Sequence, residues 1–381
     1  MKKKVVILRN DILPLSETFI LEQMRLLKYW HPILVGRRLC VNGLNLTNID
    51  YRIIPKAKAS LMQKISVRIK NLLGVEDKRT ASYILSLNPD LIHIHFGTDA
   101  VSYWNSIKNL DIPILVTLHG YDINISKEWW QQGKGGHFMK KYPKRLVSLS
   151  KHNNVSFIAV SEAIKNKAIE FGIPASKIQV HYIGVDTNKF KPRGLPLSQR
   201  DNTVLFVGRF VEKKAPLQLI QAFSQVVKHI PDAKLVMVGD GVLKKKAESL
   251  AKTLRLPVEF KGALKHEQVL KEYDKAKVFC LPSITAKNGD AEGLPIAILE
   301  AISKNLFIIV TSHSGNTDIP FLENIGLVIN ENNIEQMASS LTELLKRNSK
   351  VDIKDIGLFI EKFDLLRCSQ KLEKIYSEVL I

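Results

Sequence analysis

Cysteine is scarce: Cys40, Cys280 and Cys368 are the only three in 381 residues, widely spaced and odd in number. They leave no disulfide framework and no paired metal-ligand spacing, which points to a reducing cytoplasm. Long apolar runs are missing too, and no stretch approaches the roughly 18 residues that a membrane-crossing helix needs. The opening MKKKVVILRND has the lysines of a signal peptide, but its apolar run over 5–8 is far too short for a secretory core and reads as a buried first strand. Neither an internal repeat nor a low-complexity tract is present. Negative charge is in deficit, with 37 Asp and Glu against 56 Lys and Arg, a formal charge of +19. A field of that size favours polyanions: nucleic acid, an anionic membrane surface or phosphorylated substrates. Nucleic acid is the poorest fit, because zinc spacings, a helix-turn-helix pattern and aromatic RNA-binding signatures are all missing.

What is present is an alternation of short apolar strands and amphipathic helices, the pattern of parallel α/β units. Strands are expected over 4–8, 32–35, 91–95, 114–117 and 157–160, then over 203–207, 234–238, 258–261, 278–281, 307–310 and 326–329. Helices fill most gaps, as over 216–228, 244–254 and 266–275. The pattern restarts at RDNTVLFVGRF, after the Pro- and Lys-rich DTNKFKPRGLPLSQRD, which places a linker around 187–200. The expected organisation is two doubly wound domains, 1–190 and 191–365, with a cleft where the carboxyl ends of their strands face each other. The stretch 366–381, LLRCSQKLEKIYSEVL and beyond, has helical period.

Five stretches carry candidate chemistry. In GDAEGLPIAILEA, Glu292 and Glu300 stand eight positions apart, and a helix is expected over about 294–303 with Pro295 in its first turn. The amides of Gly293 and Leu294 at such a start can hold a phosphate, and a carboxylate can take both hydroxyls of a ribose. The plain alternative is an acid complementing the helix dipole followed by a solvated glutamate. In LFVGRFVEKKAP, Gly208 and Arg209 follow a strand and Lys214 precedes a helix, a fork and a point charge suited to a diphosphate. Alone they read equally as solvated loop cations. In LVMVGDG, the strand delivers Gly239, Asp240 and Gly241, part of a glycine-rich nucleotide turn or simply a tight turn. In LIHIHFGTDA and LVTLHGYDI, His95 and His119 end apolar strands on the cleft side, Asp122 can orient His119 or catch an acceptor hydroxyl, and His93 lies deeper as a core residue. No carboxylate or cysteine completes a metal set there. In LPLSETFI, Ser16 can cap a helix carrying Glu17 and Thr18, or the stretch can meet an acceptor.

Taken together, SETFI, HIHFG, TLHGYD, AVSEAIKNKAIEFGIPASKIQVHYIGVDTNKF, VGRFVEKKAP, GDG and GDAEGLPIAILEA resemble the retaining GT-B glycosyltransferases of the "glycosyl transferases group 1" family. The likeness runs from about residue 16 to 318 and is strongest to the subset that builds colanic acid, amylovoran and capsule-type exopolysaccharides. It implies a GT-B fold of two Rossmann-like domains, with the last helix packing back on the first domain. It implies a UDP- or GDP-sugar donor, with Gly208, Arg209, Lys214, Gly239, Asp240, Gly241, Glu292, Gly293, Leu294, Pro295 and Glu300 on the donor side. Arg209 and Lys214 would neutralise the departing diphosphate, Glu300 would take the ribose, Glu292 the sugar, and His119 the sugar from the other domain. Ser16, Glu17, Thr18, His95 and Asp122 would serve the acceptor. No cofactor and no metal are expected, since the cations do the neutralising. Asn305 stands where a Gly is usual, and Asn316, Thr317 and Asp318 where a Pro-Glu pair is usual. A sugar-nucleotide epimerase or a soluble disaccharide synthase of the same fold is the alternative reading.

Two basic stretches stand out in the first half. PKAKASLMQKISVRIKNLLGVEDKR sets Leu61, Ile65, Ile69 and Leu72 on one stripe beside Lys64, Arg68 and Lys70. KEWWQQGKGGHFMKKYPKR mixes Trp129, Trp130 and Phe138 with Lys134, Lys140, Lys141, Lys144 and Arg145. The first reads better as a helix packed on its own domain with a solvated face, whereas the second, a basic segment with interfacial aromatics, suits an anionic membrane. It also suits a lipid-linked or oligosaccharide acceptor, which would place the enzyme in the cytoplasm, peripheral on the inner face of the membrane.

Overall fold

The computed structural model describes residues 2–14, 17–41, 43–55, 77–312, 314–320, 322–347 and 353–380. The chain divides into two units, Met1–Ile183 with Cys368–Ile381, and Gly184–Arg367. Each is built on one parallel sheet flanked by helices, the Rossmann-like class that the strand–helix alternation implies. Among the described residues no helix is long and apolar enough to cross a membrane.

The first unit holds β1 (Lys3–Ile12), β2 (Trp30–Leu39), β3 (Tyr51–Ile53), β4 (Leu91–His95), β5 (Ile114–Leu118), β6 (Val155–Ala159) and β7 (Ile178–Val180). Their order is β3-β2-β1-β4-β5-β6-β7. The inner strands are buried on both faces, as are all five residues of β4, so they read as continuous apolar runs rather than alternating ones. The edge strands β3 and β7 escaped the sequence reading because they are three residues long and half exposed or more. The helix Leu365–Glu378 carries residues from Cys368 onward into this unit. There Glu373 Oε1 accepts from the amides of Tyr29 and Trp30 at 2.7 and 3.2 Å, and Tyr376 stacks edge-on against Trp30. The expected return of the last helix is therefore seen in named contacts.

The second unit holds β8 (Thr203–Val207), β9 (Lys234–Val238), β10 (Val258–Gly262), β11 (Val278–Leu281), β12 (Phe307–Thr311) and β13 (Gly326–Ile329) in the order β10-β9-β8-β11-β12-β13. In each sheet the chain winds outward one way and then the other. The reversal falls between β1 and β4 in the first unit and between β8 and β11 in the second. Open parallel sheets form their binding crevices outside the carboxyl ends of the strands at such reversals.

Two helix starts differ from expectation. The helix after β1 is Thr18–Leu26, with Glu17 at its N-cap and no side-chain cap bond, so Glu17 is not a first-turn acid. Ser16, the expected cap, lies outside the described residues. The helix after β11 is Ile296–Ser303, with Pro295 as an extended N-cap (ψ 114°) rather than a first-turn residue. A proline disfavours helical backbone in the residue before it, so Leu294 cannot begin the helix. Asn305 has φ +58°, the left-handed conformation for which Gly is the usual choice and Asn the next best.

Candidate active site

In the second unit the loops after β8 and β11 meet at the sheet's reversal, and they meet through charge. A short 3-10 turn, Glu212–Lys214, follows β8 and delivers two lysines. Lys214 Nζ lies 3.1 Å from Glu292 Oε2, and Lys213 Nζ lies 3.7 Å from Glu292 Oε1 and 3.0 Å from Asp290 Oδ1. Lys213 and Glu292 are both buried. Burial alone would raise the Glu292 carboxyl, but Lys214, Lys213 and Arg209 outweigh it and hold the group down at about 2. Burial lowers the Lys214 ammonium, against the pull of Glu292. Lys213, Lys214, Asp290 and Glu292 thus form one close-set cluster, with Arg209 exposed beside it. Among the described residues Glu292 Oε1 is a buried atom without a hydrogen-bond partner, an open acceptor for a ligand hydroxyl. Sequence reasoning missed Lys213; its only signal was its place beside Lys214.

The glycines work by close approach. A β-carbon on Gly239 would lie 2.0 Å from Gly208 O, and one on Gly241 would lie 2.6 Å from Phe210 O. Both residues also have positive φ, +135° and +151°. The Gly239-Asp240-Gly241 turn therefore lies flat against the Gly208–Phe210 strand end, and the pair is locked by Phe210 N donating to Asp240 O at 2.8 Å. Asp240 itself is exposed and accepts from its neighbour Gly241 N at 2.7 Å.

Glu300 sits on the helix Ile296–Ser303, where its Oε2 accepts from the hydroxyl of buried Tyr273 at 2.9 Å. The solvated glutamate of the plain reading is excluded by that anchor. Gly293 and Leu294 precede the helix, and Gly315 N donates to Gly293 O at 2.8 Å. The turn Ser314–Asp318, which contains the unusual Asn316, Thr317 and Asp318, is tied in this way to the loop of Glu292. Asn316 is buried and donates to Thr311 O at 3.1 Å, while its Oδ1 has no hydrogen-bond partner among the described residues.

In the first unit the reversal between β1 and β4 holds a different cluster. Arg9, from β1, grips Glu17 with both arms of its guanidinium (3.1 and 2.6 Å) and reaches Asp99 Oδ2 at 2.6 Å. All three are buried. Burial pushes the Glu17 carboxyl up to about 7 against the pull of Arg9. With both oxygens held by the fork, Glu17 organises the site and does not face an acceptor directly; Thr18 beside it is partly exposed. His95 Nδ1 and His119 Nε2 are 3.0 Å apart and their rings stack at 5.2 Å. Burial holds both imidazoles well below their ordinary range, so they are neutral donors or acceptors. His93 is the expected core residue, satisfied by Thr117 Oγ1 and Tyr376 OH at 2.7 Å each.

Asp122 is fully buried and accepts from the amides of Gly97, His119 and Gly120 at 2.8, 3.0 and 2.9 Å. Of its two expected roles, holding the His119 turn fits and catching a hydroxyl does not. Phe96 has φ +75°, strained for a non-glycine residue, and is held by the Arg9 guanidinium 4.4 Å over its ring and His119 at 4.4 Å. A cavity of about 650 Å³ opens beside this cluster, lined by Asn10, Arg37, Asp99 and Ser102 among others. Sequence reasoning missed Arg9 and Arg37, because a cation at the end of a strand looks like an ordinary solvated one.

The basic stretch over 127–145 is only partly as expected. Trp130 is 1% exposed, packed on Tyr142, and Trp129 is half-buried; Phe138, at 43%, is the aromatic left outside, with Lys134, Lys140, Lys141 and Lys144 exposed around it. Trp130 serves the core because the rings of Tyr121, Trp129 and Tyr142 close over it. The residues 61–72 of the other basic stretch lie outside the described residues.

Known proteins similar to this chain are glycosyltransferases. The family model described as Glycosyl transferases group 1 matches residues 187–355, and that described as Glycosyltransferase Family 4 matches residues 64–189. WcaL of Escherichia coli (strain K12), assigned to colanic acid biosynthesis, is 25% identical over 77% of this chain and 68% of its own. The amylovoran biosynthesis glycosyltransferase AmsK of Erwinia amylovora is 24% identical over 88% of this chain and 89% of its own. An Escherichia coli UDP-Gal:α-D-GlcNAc-diphosphoundecaprenol α-1,3-galactosyltransferase is 25% identical over 77% and 76%. Among solved structures, Anabaena HepE in complex with UDP and glucose superposes with a TM-score of 0.76 at 16% identity, over 98% of this chain and 99% of that one. The fold is GT-B; residues 187–355 carry a Glycosyl transferases group 1 domain and residues 64–189 a Glycosyltransferase Family 4 domain, and the chain is a glycosyltransferase related to the enzymes of exopolysaccharide biosynthesis and to transferases acting on lipid-linked acceptors.

Proposed function

We propose that the protein is a retaining hexosyltransferase that moves a sugar from a UDP- or GDP-sugar to a growing, lipid-linked surface polysaccharide. The observation that carries this reading is the cationic cluster of Arg209, Lys213 and Lys214 gathered at Glu292, where the sheet of the second unit reverses. In sugar transfer the bond from the anomeric carbon to the diphosphate oxygen breaks as charge builds on the leaving group. Cations preorganised there lower the barrier more than they stabilise the bound donor. Arg209 and Lys214 take the diphosphate, Glu300 the ribose hydroxyls, and Glu292 with the loop of Gly293, Leu294 and Pro295 the sugar. Gly208, Gly239, Asp240 and Gly241 shape the wall of that pocket. His119, held neutral, donates to or accepts from a sugar hydroxyl. The acceptor oxygen bonds to the anomeric carbon on the face the diphosphate leaves, and its proton passes to the departing phosphate. No metal is required by this scheme, because the side-chain cations carry the neutralisation.

Two features support the rest. The cavity lined by Asn10, Arg37, Asp99 and Ser102 suits a glycan acceptor. Exposed Phe138, with exposed Lys134, Lys140, Lys141 and Lys144 close to it in sequence, suits an anionic membrane, which would place the enzyme on the inner face of the cytoplasmic membrane. The relatives in polysaccharide assembly leave the epimerase, disaccharide synthase and nucleic-acid readings without support. Calorimetric titration of wild type and Glu300→Ala with UDP- and GDP-sugars tests the core of the proposal. Saturable binding of one nucleotide series, lost in the variant, is expected; no binding by folded wild type would sink the donor assignment.

A further inference from the structure

Lys214 has two claims on it. It is paired with Glu292 at 3.1 Å, yet the reading above requires it at the donor diphosphate. When it turns to the diphosphate, a buried carboxylate is left behind, and a buried charge without a partner is costly enough that the group would protonate or move. The cation in position to prevent this is Lys213. Its Nζ lies between Asp290 Oδ1 at 3.0 Å and Glu292 Oε1 at 3.7 Å, and its backbone is fixed by Ile284 N donating to Lys213 O at 2.8 Å. Its side chain is as buried as that of Glu292, 9% exposed each, so it does not serve solvent. Lys213 also shows an asymmetry that Lys214 does not. Asp290 holds it on one side, so it cannot follow a ligand out of the pocket.

We propose that Lys213 is a positioning residue: clamped by Asp290, it keeps the Glu292 carboxylate charged and in place while Lys214 transfers to the donor diphosphate. This rests on the donor reading above. Glu292 then presents an ionised acceptor, at full strength, to a sugar hydroxyl of the bound donor. The groups that face Glu292 are Lys213, Lys214 and Arg209 from the connection after β8 and Asp290 from its own loop, and their balance sets its charge. Removing Lys213 removes the one cation that stays. Removing the Asp290 charge frees Lys213 entirely for Glu292. The two changes therefore act in opposite directions on one carboxylate, which mere packing damage would not do.

The test uses full-length protein and whichever of UDP-glucose, UDP-galactose and GDP-mannose the wild type binds. The diphosphate diester of a sugar nucleotide does not titrate between pH 8 and pH 5, so any pH dependence belongs to the protein. Wild type and Asp290→Asn are expected to bind the sugar nucleotide with affinity that changes less than about threefold over that range. Lys213→Met is expected to lose about tenfold on descending from pH 8 to pH 5, the fold-change that one decade in an equilibrium constant represents. Lys213→Arg should restore the flat profile, and melting curves check that each variant is folded. A flat profile in folded Lys213→Met, or the same slope in Asp290→Asn, overturns the proposal. Failure of the donor reading is distinct, since wild type itself would then bind none of the three sugar nucleotides.

Discussion

The hydroxyl of Tyr273 donates to Glu300 Oε2 across 2.9 Å, joining the helix His266–Lys275 to the helix Ile296–Ser303. Tyr273 is fully buried, so the bond aims the carboxylate before any ligand arrives. Tyr273→Phe keeps the ring and removes only that donor. A net hydrogen bond to a charged acceptor is worth about 1.5 kcal/mol, so nucleotide affinity should fall roughly tenfold with little loss of stability. Calorimetry beside a denaturation curve separates the two; unchanged nucleotide affinity would remove Glu300 from the ribose role or Tyr273 from positioning it.

Gly239 tolerates no β-carbon, because Gly208 O would lie 2.0 Å away and backbone cannot yield as a side chain can. Gly239→Ala should therefore part the two turns that wall the donor pocket. Destabilisation of roughly 2–4 kcal/mol is expected, with donor binding weakened beyond detection in the protein that remains folded. Near-normal stability would contradict the close approach.

Glu292 ties stability to pH. Its carboxyl is held at about 2 in the folded protein against an ordinary 4.5, so the ionised form is favoured by folding. A depressed carboxyl contributes stability that is complete above about 4.5 and is lost as pH falls from there toward 2. The amount is on the order of 3 kcal/mol if this group acts alone. Glu292→Gln should flatten that part of the stability–pH curve. It should also lower stability at neutral pH, since Lys213 and Lys214 lose a buried partner. An equal acid slope in both proteins would assign the effect elsewhere.

Asn305 occupies the left-handed region at φ +58°, just after the helix Ile296–Ser303. Asn305→Ala should cost about 1 kcal/mol, because a β-carbon with no hydrogen-bonding group has nothing to offset the strain. Asn305→Gly should be neutral or slightly stabilising. Urea midpoints decide; the reverse order would refute the backbone reading.

Phe138, 43% exposed, should anchor the protein to anionic bilayers together with Lys140 and Lys141. Flotation with phosphatidylglycerol vesicles should capture wild type at low salt and release it as salt rises. Each juxtamembrane lysine is worth about 1 kcal/mol, so Lys140→Glu with Lys141→Glu should weaken capture at least roughly thirtyfold. Wild type that ignores the vesicles would end the membrane reading.

The strands β4, β8, β9 and β11 were legible to the residue because inner strands of a parallel sheet are short, mostly apolar runs, and the edge strand β13 was legible from its apolar composition although Leu327 and Val328 are partly exposed. The tight turn at Gly239-Asp240-Gly241 was legible for a related reason: its glycines stand where backbone must touch backbone, and that need is written in residue type. Sequence could not show which charges share a pocket. Lys213 and Asp290 are 77 positions apart, and Arg9 and Asp99 are 90 apart; each reads as a surface charge until the fold buries it. Nor could it separate Trp130, closed in the core, from exposed Phe138 eight positions on. Local patterning determines the elements and the turns, because their energetics are set within a few residues. Partnership among buried charges is decided by the order of the strands, which alone brings the loop after β8 beside the loop after β11 and makes each carboxylate depend on a lysine far along the chain.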